Sequence, residues 1–459
     1  MRRAGAFSRC RTRGSKPLIA LRTLLAIVAA LAGTVGLLAS CASQPAIDPA
    51  PAPTRASFDP AVVVRGAQLE AIGDCRTCHT APGGRAFAGG RRIETPFGAI
   101  YSTNITPDRD TGIGAWTEPA FVRAMREGVD RAGHHLYPVF PYDHFDLVSD
   151  DDLHALYAFL MTRSPVAARA PPNELTFPIG FRPFLAGWKA LYLHPRVFQP
   201  QPNKSDEWNR GAYLVEGLGH CGACHTPRNV LGAEKRDQAF AGGRAEGWDA
   251  PALGASSSSP VPWTRERLIA YLRNDAVSGQ GIPAGPMLPV AHDLAIVPEE
   301  DVDAIATYVA SKIGEPSVEQ AQRAKAVLER VARDTGGGPM PASTTVDDAG
   351  VRNGAALYDA ACAVCHDAGR GVGAAHAMHL AESTSIWLPG PTNLLHIVQD
   401  GVRPRTGERG RWMPAFRGAF TPAQLADLAR YLRAAFGPGT PWRNLDDAIR
   451  DTQAARADG

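Results

Sequence analysis

Cysteine is scarce in this chain, with eight among 459 residues. Six of them fall in three copies of one five-residue pattern, Cys41 closes an apolar run near the N-terminus, and Cys10 lies ahead of that run. None is left to pair in a disulfide. Methionine is scarcer still, at seven residues. Beyond residue 40 no stretch is long and apolar enough to span a bilayer. Also missing are a glycine-rich dinucleotide turn after a strand, a cysteine set for an iron–sulfur cluster and a candidate catalytic triad. These absences exclude the usual self-contained enzymes, and no catalytic residue is expected here. Charge excludes nucleic acid as a partner. The formal net of +2 arises because residues 1–40 hold seven basic groups and no acid; from residue 41 onward 41 basic residues face 46 acidic ones, a net of −5.

The cysteine pattern is Cys75-Arg76-Thr77-Cys78-His79, repeated as Cys221-Gly222-Ala223-Cys224-His225 and Cys362-Ala363-Val364-Cys365-His366. Cys-x-x-Cys-His is the attachment signature of c-type haem. On one helical turn, cysteines at i and i+3 project from the same face, so both sulfurs can form thioethers to one porphyrin edge. The adjacent histidine then reaches the iron. A zinc or redox Cys-x-x-Cys would need further Cys or His at pairing distance, whereas here His follows the second Cys every time. Three covalently bound haem c groups are therefore expected. Cys75, Cys78, Cys221, Cys224, Cys362 and Cys365 would attach them, with His79, His225 and His366 as proximal ligands.

The fold class that follows is mainly α, three tandem cytochrome c-like domains each built around one haem. Gly66-Ala67, Gly211-Ala212 and Gly354-Ala355 open the three units ahead of their cysteines. Helices over 149–160, 298–309 and 421–432 close them, started by acidic residues or Thr-Pro. Units one and two also share Phe-Ala-Gly-Gly-Arg, at 87–91 and 240–244, and Trp-Thr at 116–117 and 263–264. Residues 1–40 have the basic start and apolar run of an export signal. They end in Leu38-Ala39-Ser40-Cys41, a lipoprotein-type box that makes Cys41 the lipidation site; an uncleaved membrane helix is the alternative. Both put the protein on the periplasmic side of the cell membrane. Residues 41–58 form a Pro/Ala linker. Domain one covers 59–205, with a C-terminal strap from about 164, domain two 206–316 and domain three 348–440. A helix and flexible linker at 317–347 and a polar tail at 441–459 complete the division.

Each iron is tuned by its sixth ligand, and methionine raises the potential. Met287 lies 66 residues after Cys221 and Met413 lies 51 after Cys362, each beside a proline ahead of its closing helix. Both are candidate axial ligands. In unit one, 65 residues from Cys75 leads to Phe140, which cannot bind iron. His144 is the first choice there, with His134, His135, Met125 or no ligand as alternatives.

Several segments carry a family resemblance: Thr103-Asn104-Ile105-Thr106-Pro107-Asp108, Leu136-Tyr137-Pro138, Cys224-His225-Thr226-Pro227-Arg228-Asn229, Ala284-Gly285-Pro286-Met287 and Met413-Pro414-Ala415-Phe416. With the three haem motifs, they resemble the trihaem cytochrome c subunits of bacterial membrane-bound dehydrogenases over residues 60–440. The resemblance implies an electron-transfer subunit whose catalytic partner is a quinoprotein, a flavoprotein or a molybdenum hydroxylase. It also implies delivery of electrons to ubiquinone or a terminal oxidase, and carries Met287 and Met413 over as axial ligands. The alcohol dehydrogenase branch has Met where this chain has Phe140, and Phe-Pro-Tyr-Asp-His-Phe at 140–145 looks more like the molybdenum hydroxylase branch. Two rival classes stay open: a multihaem peroxidase or reductase working at an open first haem, and a free-standing electron shuttle. A pyridine haemochrome assay on the purified chain is expected to count three haems, and two after Cys362→Ala with Cys365→Ala. A count of two before mutation rules out one of the three sites.

Overall fold

The computed structural model describes residues 44–177, 179–275, 281–335, 348–367, 378–403 and 412–454. The export signal at 1–40, Cys41 and the glycine-rich part of the second linker at 336–347 lie outside the described residues. One arrangement recurs three times, an opening helix crossed by a closing one. The pairs are α1 (Pro60–Ile72) with α2 (Asp150–Met161), α3 (Asp206–Glu216) with α4 (Glu299–Ile313), and α5 (Ala349–Ala361) with α6 (Pro422–Phe436).

Their ends are set locally. The Asp59 carboxylate accepts from the Ala61 N–H at 2.8 Å, with Pro60 preformed for the first turn. Ser149 and Ser205 cap α2 and α3, and three acids stand in the first turns of both α2 and α4. Thr421 and Gln424 form a reciprocal capping box. The closing helices run one to four residues past the expected ends, to Met161, Ile313 and Phe436.

The glycine of each Gly-Ala pair marks where the two helices cross. A Cβ on Gly66 would collide with the Ala155 carbonyl oxygen, on Gly211 with that of Ala304, and on Gly354 with that of Asp427. The next nearest side chain is Phe159, Tyr308 or Tyr431, one turn further along each closing helix. Only a residue without Cβ lets the backbones approach this closely.

Units one and two share a continuous apolar core, running from Leu69 and Leu153 through Leu214 and Leu218 to Val302 and Ile305. A charged cluster crosses the same boundary. Arg65 of α1 reaches Asp152 at 3.3 Å and Asp301 of α4 at 3.2 Å, and Arg210 of α3 reaches Asp301 at 2.8 Å. The third unit has its own core.

The segment after unit two is helical over Val318–Thr335, and Ala324, Val327 and Val331 enter the third core. The expectation that changes is the one for the C-terminus. Within the expected polar tail, residues 441–454 are docked on the third unit. Trp442 is buried with its indole N–H on the Leu388 carbonyl at 2.9 Å, and the helix Leu445–Ala454 buries Leu445, Ala448, Ile449 and Thr452. That i, i+3, i+4, i+7 spacing is an apolar stripe beneath a charged surface, and the charges masked it in the sequence.

The strap touches both units one and two. Its strand β3 (Glu174–Leu175) extends the hairpin of β1 (Arg92–Thr95) and β2 (Gly98–Tyr101). Trp188 donates to the Leu231 carbonyl at 2.9 Å, and Phe198 packs edge to face on Tyr213. Among the described residues no helix is long and apolar enough to cross a membrane. Gly211→Ala is expected to destabilise the protein by roughly 1–3 kcal/mol, the usual cost of overpacking. Chemical denaturation checks this; an unchanged midpoint would show that the helices can part there freely.

Candidate haem-binding site

Each Cys-x-x-Cys-His forms a single helical turn, at Cys75–Cys78, Gly222–His225 and Ala363–His366. In units one and two the residue before the first cysteine is left-handed, Asp74 at φ 46° and His220 at φ 37°. All six cysteines are free. Burial pushes the Cys78 and Cys221 thiols up to about 12 and the Cys224 and Cys362 thiols up to about 11. Such surroundings suit neutral sulfur, as in a thioether, and disfavour the thiolate that zinc requires.

The histidines are held alike. Nδ1 of His79 faces the Thr103 carbonyl oxygen at 2.6 Å, His225 that of Pro251 at 2.6 Å, and His366 that of Met378 at 3.2 Å. A carbonyl only accepts, so Nδ1 carries the proton and Nε2 keeps its lone pair for a metal. Burial lowers the pKa of all three imidazoles, which favours the neutral, ligating form. The residues present therefore fit covalent haem c.

Repeated residues build this geometry. Thr103 is positioned by its buried neighbour Asn104, which donates to the Val166 carbonyl at 2.7 Å and accepts from the Thr106 N–H at 2.9 Å. The Phe-Ala-Gly-Gly-Arg copies fold back on their haem turns. Gly89 N–H donates to the His79 carbonyl and Gly242 N–H to that of His225, both at 2.8 Å. Phe87 and Phe240 N–H groups donate to the hydroxyls of Thr80 and Thr226, both at 3.1 Å.

Met287 opens the helix Met287–Leu294 after Gly285-Pro286, and Met413 pairs with Val402 in a two-way backbone bridge. Each stands ahead of its closing helix. His144 does not serve the first haem turn. Its Nδ1 faces the Glu216 carbonyl at 2.7 Å and its Nε2 the Glu234 carboxylate at 2.8 Å, beside Gly222 of the second haem turn. Both ring nitrogens are occupied by unit two, which leaves none for an iron in unit one. His134 is exposed with Nδ1 on Asp130, His135 is buried with Nδ1 3.0 Å from the Lys189 ammonium, and Met125 lies in the shared core. Phe140 packs edge to face on Phe145, and Phe145 on His220, the residue before Cys221.

A hairpin missed in the sequence joins the three units. It pairs β4 (Gly243–Ala245) with β5 (Trp248–Ala250) across Glu246-Gly247, both with positive φ. At its tip Glu246 meets Arg91 at 2.6 Å, and Arg91 donates to the Thr77 carbonyl inside the first haem turn at 3.3 Å. Trp248 lies under Gly285, next to the Met287 loop, and stacks on His396 of the third unit with ring centroids 4.8 Å apart. Asp249 and Asn393 exchange two 2.8 Å hydrogen bonds across the same boundary. The only signal in the sequence was the repeated Gly-Gly-Arg.

The family model described as cytochrome C oxidase, cbb3-type, subunit III matches residues 349–432. Relatives match along most of the chain. It is 43% identical to a nicotinate dehydrogenase subunit of Pseudomonas putida over 92% of its own length, and spans only about a third (34%) of that protein. It is 35% identical to the fructose dehydrogenase cytochrome subunit of Gluconobacter japonicus, covering 88% of this chain and 85% of that one. With the gluconate 2-dehydrogenase cytochrome c subunit of Pantoea cypripedii it shares 36% identity, over 83% and 86%.

The His144–Glu234 pair generates a pH prediction. Burial alone would lower the His144 pKa, but Glu234 outweighs it and the net shift is upward. Burial alone would raise the Glu234 pKa, but His144 and Arg228 carry it downward. The pair therefore contributes fully between the unfolded carboxylate and imidazole values of about 4.3 and about 6.5. That contribution fades as pH rises past the raised His144 value or falls past the lowered Glu234 value. Glu234→Gln should destabilise the protein inside this window, with the difference shrinking on either side. His144→Ala should leave the low-temperature EPR signature of the first haem unchanged. A lost or shifted first-haem signal would restore His144 as a ligand.

Proposed function

We propose that this chain, which belongs to the family of cytochrome c subunits of bacterial dehydrogenases, carries three haem c groups and passes electrons from a catalytic partner to ubiquinone or a terminal oxidase. The chain is an electron-transfer subunit, and catalysis belongs to partner chains. One observation carries the reading of three haem centres. All three Cys-x-x-Cys-His turns hold their histidine Nδ1 on a backbone carbonyl.

Haem iron, when bound, supplies one-electron transfer at a potential set by axial ligand, burial and hydrogen bonding. This chain's residues do the rest. Met287 and Met413 serve as soft axial ligands in units two and three. Arg91 and Glu246 neutralise each other between the first and second turns. Trp248 and His396 bring the second and third units into ring contact.

The partner we favour is a molybdenum hydroxylase acting on an N-heterocycle or an aldehyde. Phe140 supports this choice, as does 43% identity to a nicotinate dehydrogenase subunit against 35% and 36% to the fructose and gluconate dehydrogenase subunits. Anchorage at the periplasmic membrane face, through lipidated Cys41 or an uncleaved segment 23–40, places the chain where it can meet a membrane quinone.

Phe140 also supports a second reading, an open first haem with peroxidase or reductase activity. Purification from the native membrane separates the two. The subunit reading expects a co-purifying dehydrogenase whose substrate reduces all the haems, reoxidation by a ubiquinone analogue, and no turnover of hydrogen peroxide. Peroxide turnover without a partner, together with carbon monoxide binding to the reduced chain, would decide for the enzyme.

A further inference from the structure

The strap turns an apolar face outward. In its helix Pro183–Tyr192, Leu185 and Lys189 point into the body and are buried. Phe184 is 52% exposed and Leu191 63%, and Phe181 (55%) and Phe177 (88%) continue the row. Phe181 and Phe184 pack edge to face on each other, with ring centroids 6.1 Å apart. Within the helix Phe184 and Leu191 are two turns apart and share its outer side, and Phe181 and Phe177 extend the exposed surface ahead of it. Exposed apolar rows of this size mark a contact surface. Arg182 stands among them, exposed, with its guanidinium near the Tyr137 ring. Aromatic, leucine and arginine side chains together are the composition of segments that lie in a lipid interface.

Position selects the occupant. The strap rests on the loop at 128–137. Lys189 donates to the Glu127 and Gly128 carbonyls at 2.6 and 2.5 Å, Arg182 to that of His135 at 3.3 Å, and the Tyr137 hydroxyl to the Gly180 carbonyl at 3.2 Å. The first described residues grip the same loop, with Gln44 N–H on the Gly133 carbonyl and Ile47 N–H on that of Arg131, both at 2.9 Å. Cys41 precedes Gln44 by only three positions, a reach of about 10 Å. A lipid on Cys41, or a membrane helix ending at residue 40, therefore brings the bilayer surface to the edge of the loop that carries the strap.

We propose that Phe177, Phe181, Phe184 and Leu191 lie in the membrane surface as a second lipid contact beside the N-terminal anchor. This rests on the anchor reading given under the proposed function. Two points of contact fix how the first unit faces the bilayer, which a lipid anchor by itself leaves free.

The haems take six cysteines, so in a Cys10→Ser background with Cys41 lipidated, or replaced by Ser where mass spectrometry shows it free, one introduced cysteine takes a nitroxide label specifically. Phe177→Cys and Phe184→Cys report on the strap, and Val318→Cys is the exposed control in the helix after unit two. The full haem-loaded chain is bound to vesicles of phosphatidylethanolamine and phosphatidylglycerol. Label access is then compared for oxygen and for a water-soluble nickel chelate. The expected result is access to the nickel chelate several-fold lower at 177 and 184 than at 318. Equal access at all three positions overturns the proposal. Flotation of the unlabelled chain tests the anchor by itself. A chain that floats while label 184 stays in water keeps the anchor and loses the proposal, and a chain that does not float loses both. Protection of label 184 by added catalytic subunit without lipid assigns the face to that protein, and overturns the proposal too.

Discussion

Two helices can cross at backbone distance only where one of them carries no side chain, and this chain makes that contact three times. Gly66, Gly211 and Gly354 lie against the carbonyls of Ala155, Ala304 and Asp427, and the opening helix of each unit is thereby fixed on the closing one. Everything chemical hangs from that crossing. The Cys-x-x-Cys-His turn follows the opening helix directly, while the carbonyl that holds the histidine and the loop with the methionine lie between the two helices in sequence. A shifted crossing would separate the turn from both. The positions of sulfur, imidazole and methionine loop are set by helix packing rather than by the Cys-x-x-Cys-His motif alone.

The first two units behave as one body. Their cores are continuous, and Arg65, Arg210, Asp152 and Asp301 repeat one motif across the boundary, a basic residue before the crossing glycine and an acid in the first turn of the closing helix. Charge pairs in such half-buried positions contribute modestly to stability but fix register. The third unit is joined differently, through a hairpin that touches the first haem turn with Glu246, the second methionine loop with Trp248, and the third unit at His396 and Asn393. The order of contact follows the order of the chain.

The strap adds a constraint of another kind. Its inner side chains tie loop 128–137 to unit two, while its outer ones face away from the body of the chain. An element that is structural on one face and apolar on the other couples the placement of the first unit to whatever lies outside.

What could be read directly from the sequence was whatever depends on neighbours within a turn or two. The haem turns, the crossing glycines and the capped helices all obey spacings of three and four residues, and the repeats made them plain. The docked C-terminal helix obeyed the same rule at Leu445, Ala448, Ile449 and Thr452, but its charges hid the stripe. The sixth ligand of the first unit was a different problem. His144 lies only four residues past the expected spacing from Cys75, and the residue that claims it, Glu234, is 90 positions away in another unit. The carbonyls of Thr103, Pro251 and Met378, the fusion of the first two cores and the Trp248–His396 contact are long-range in the same sense. Local spacing fixes which way a side chain points along its own helix. Only the packing of distant segments decides what it meets there.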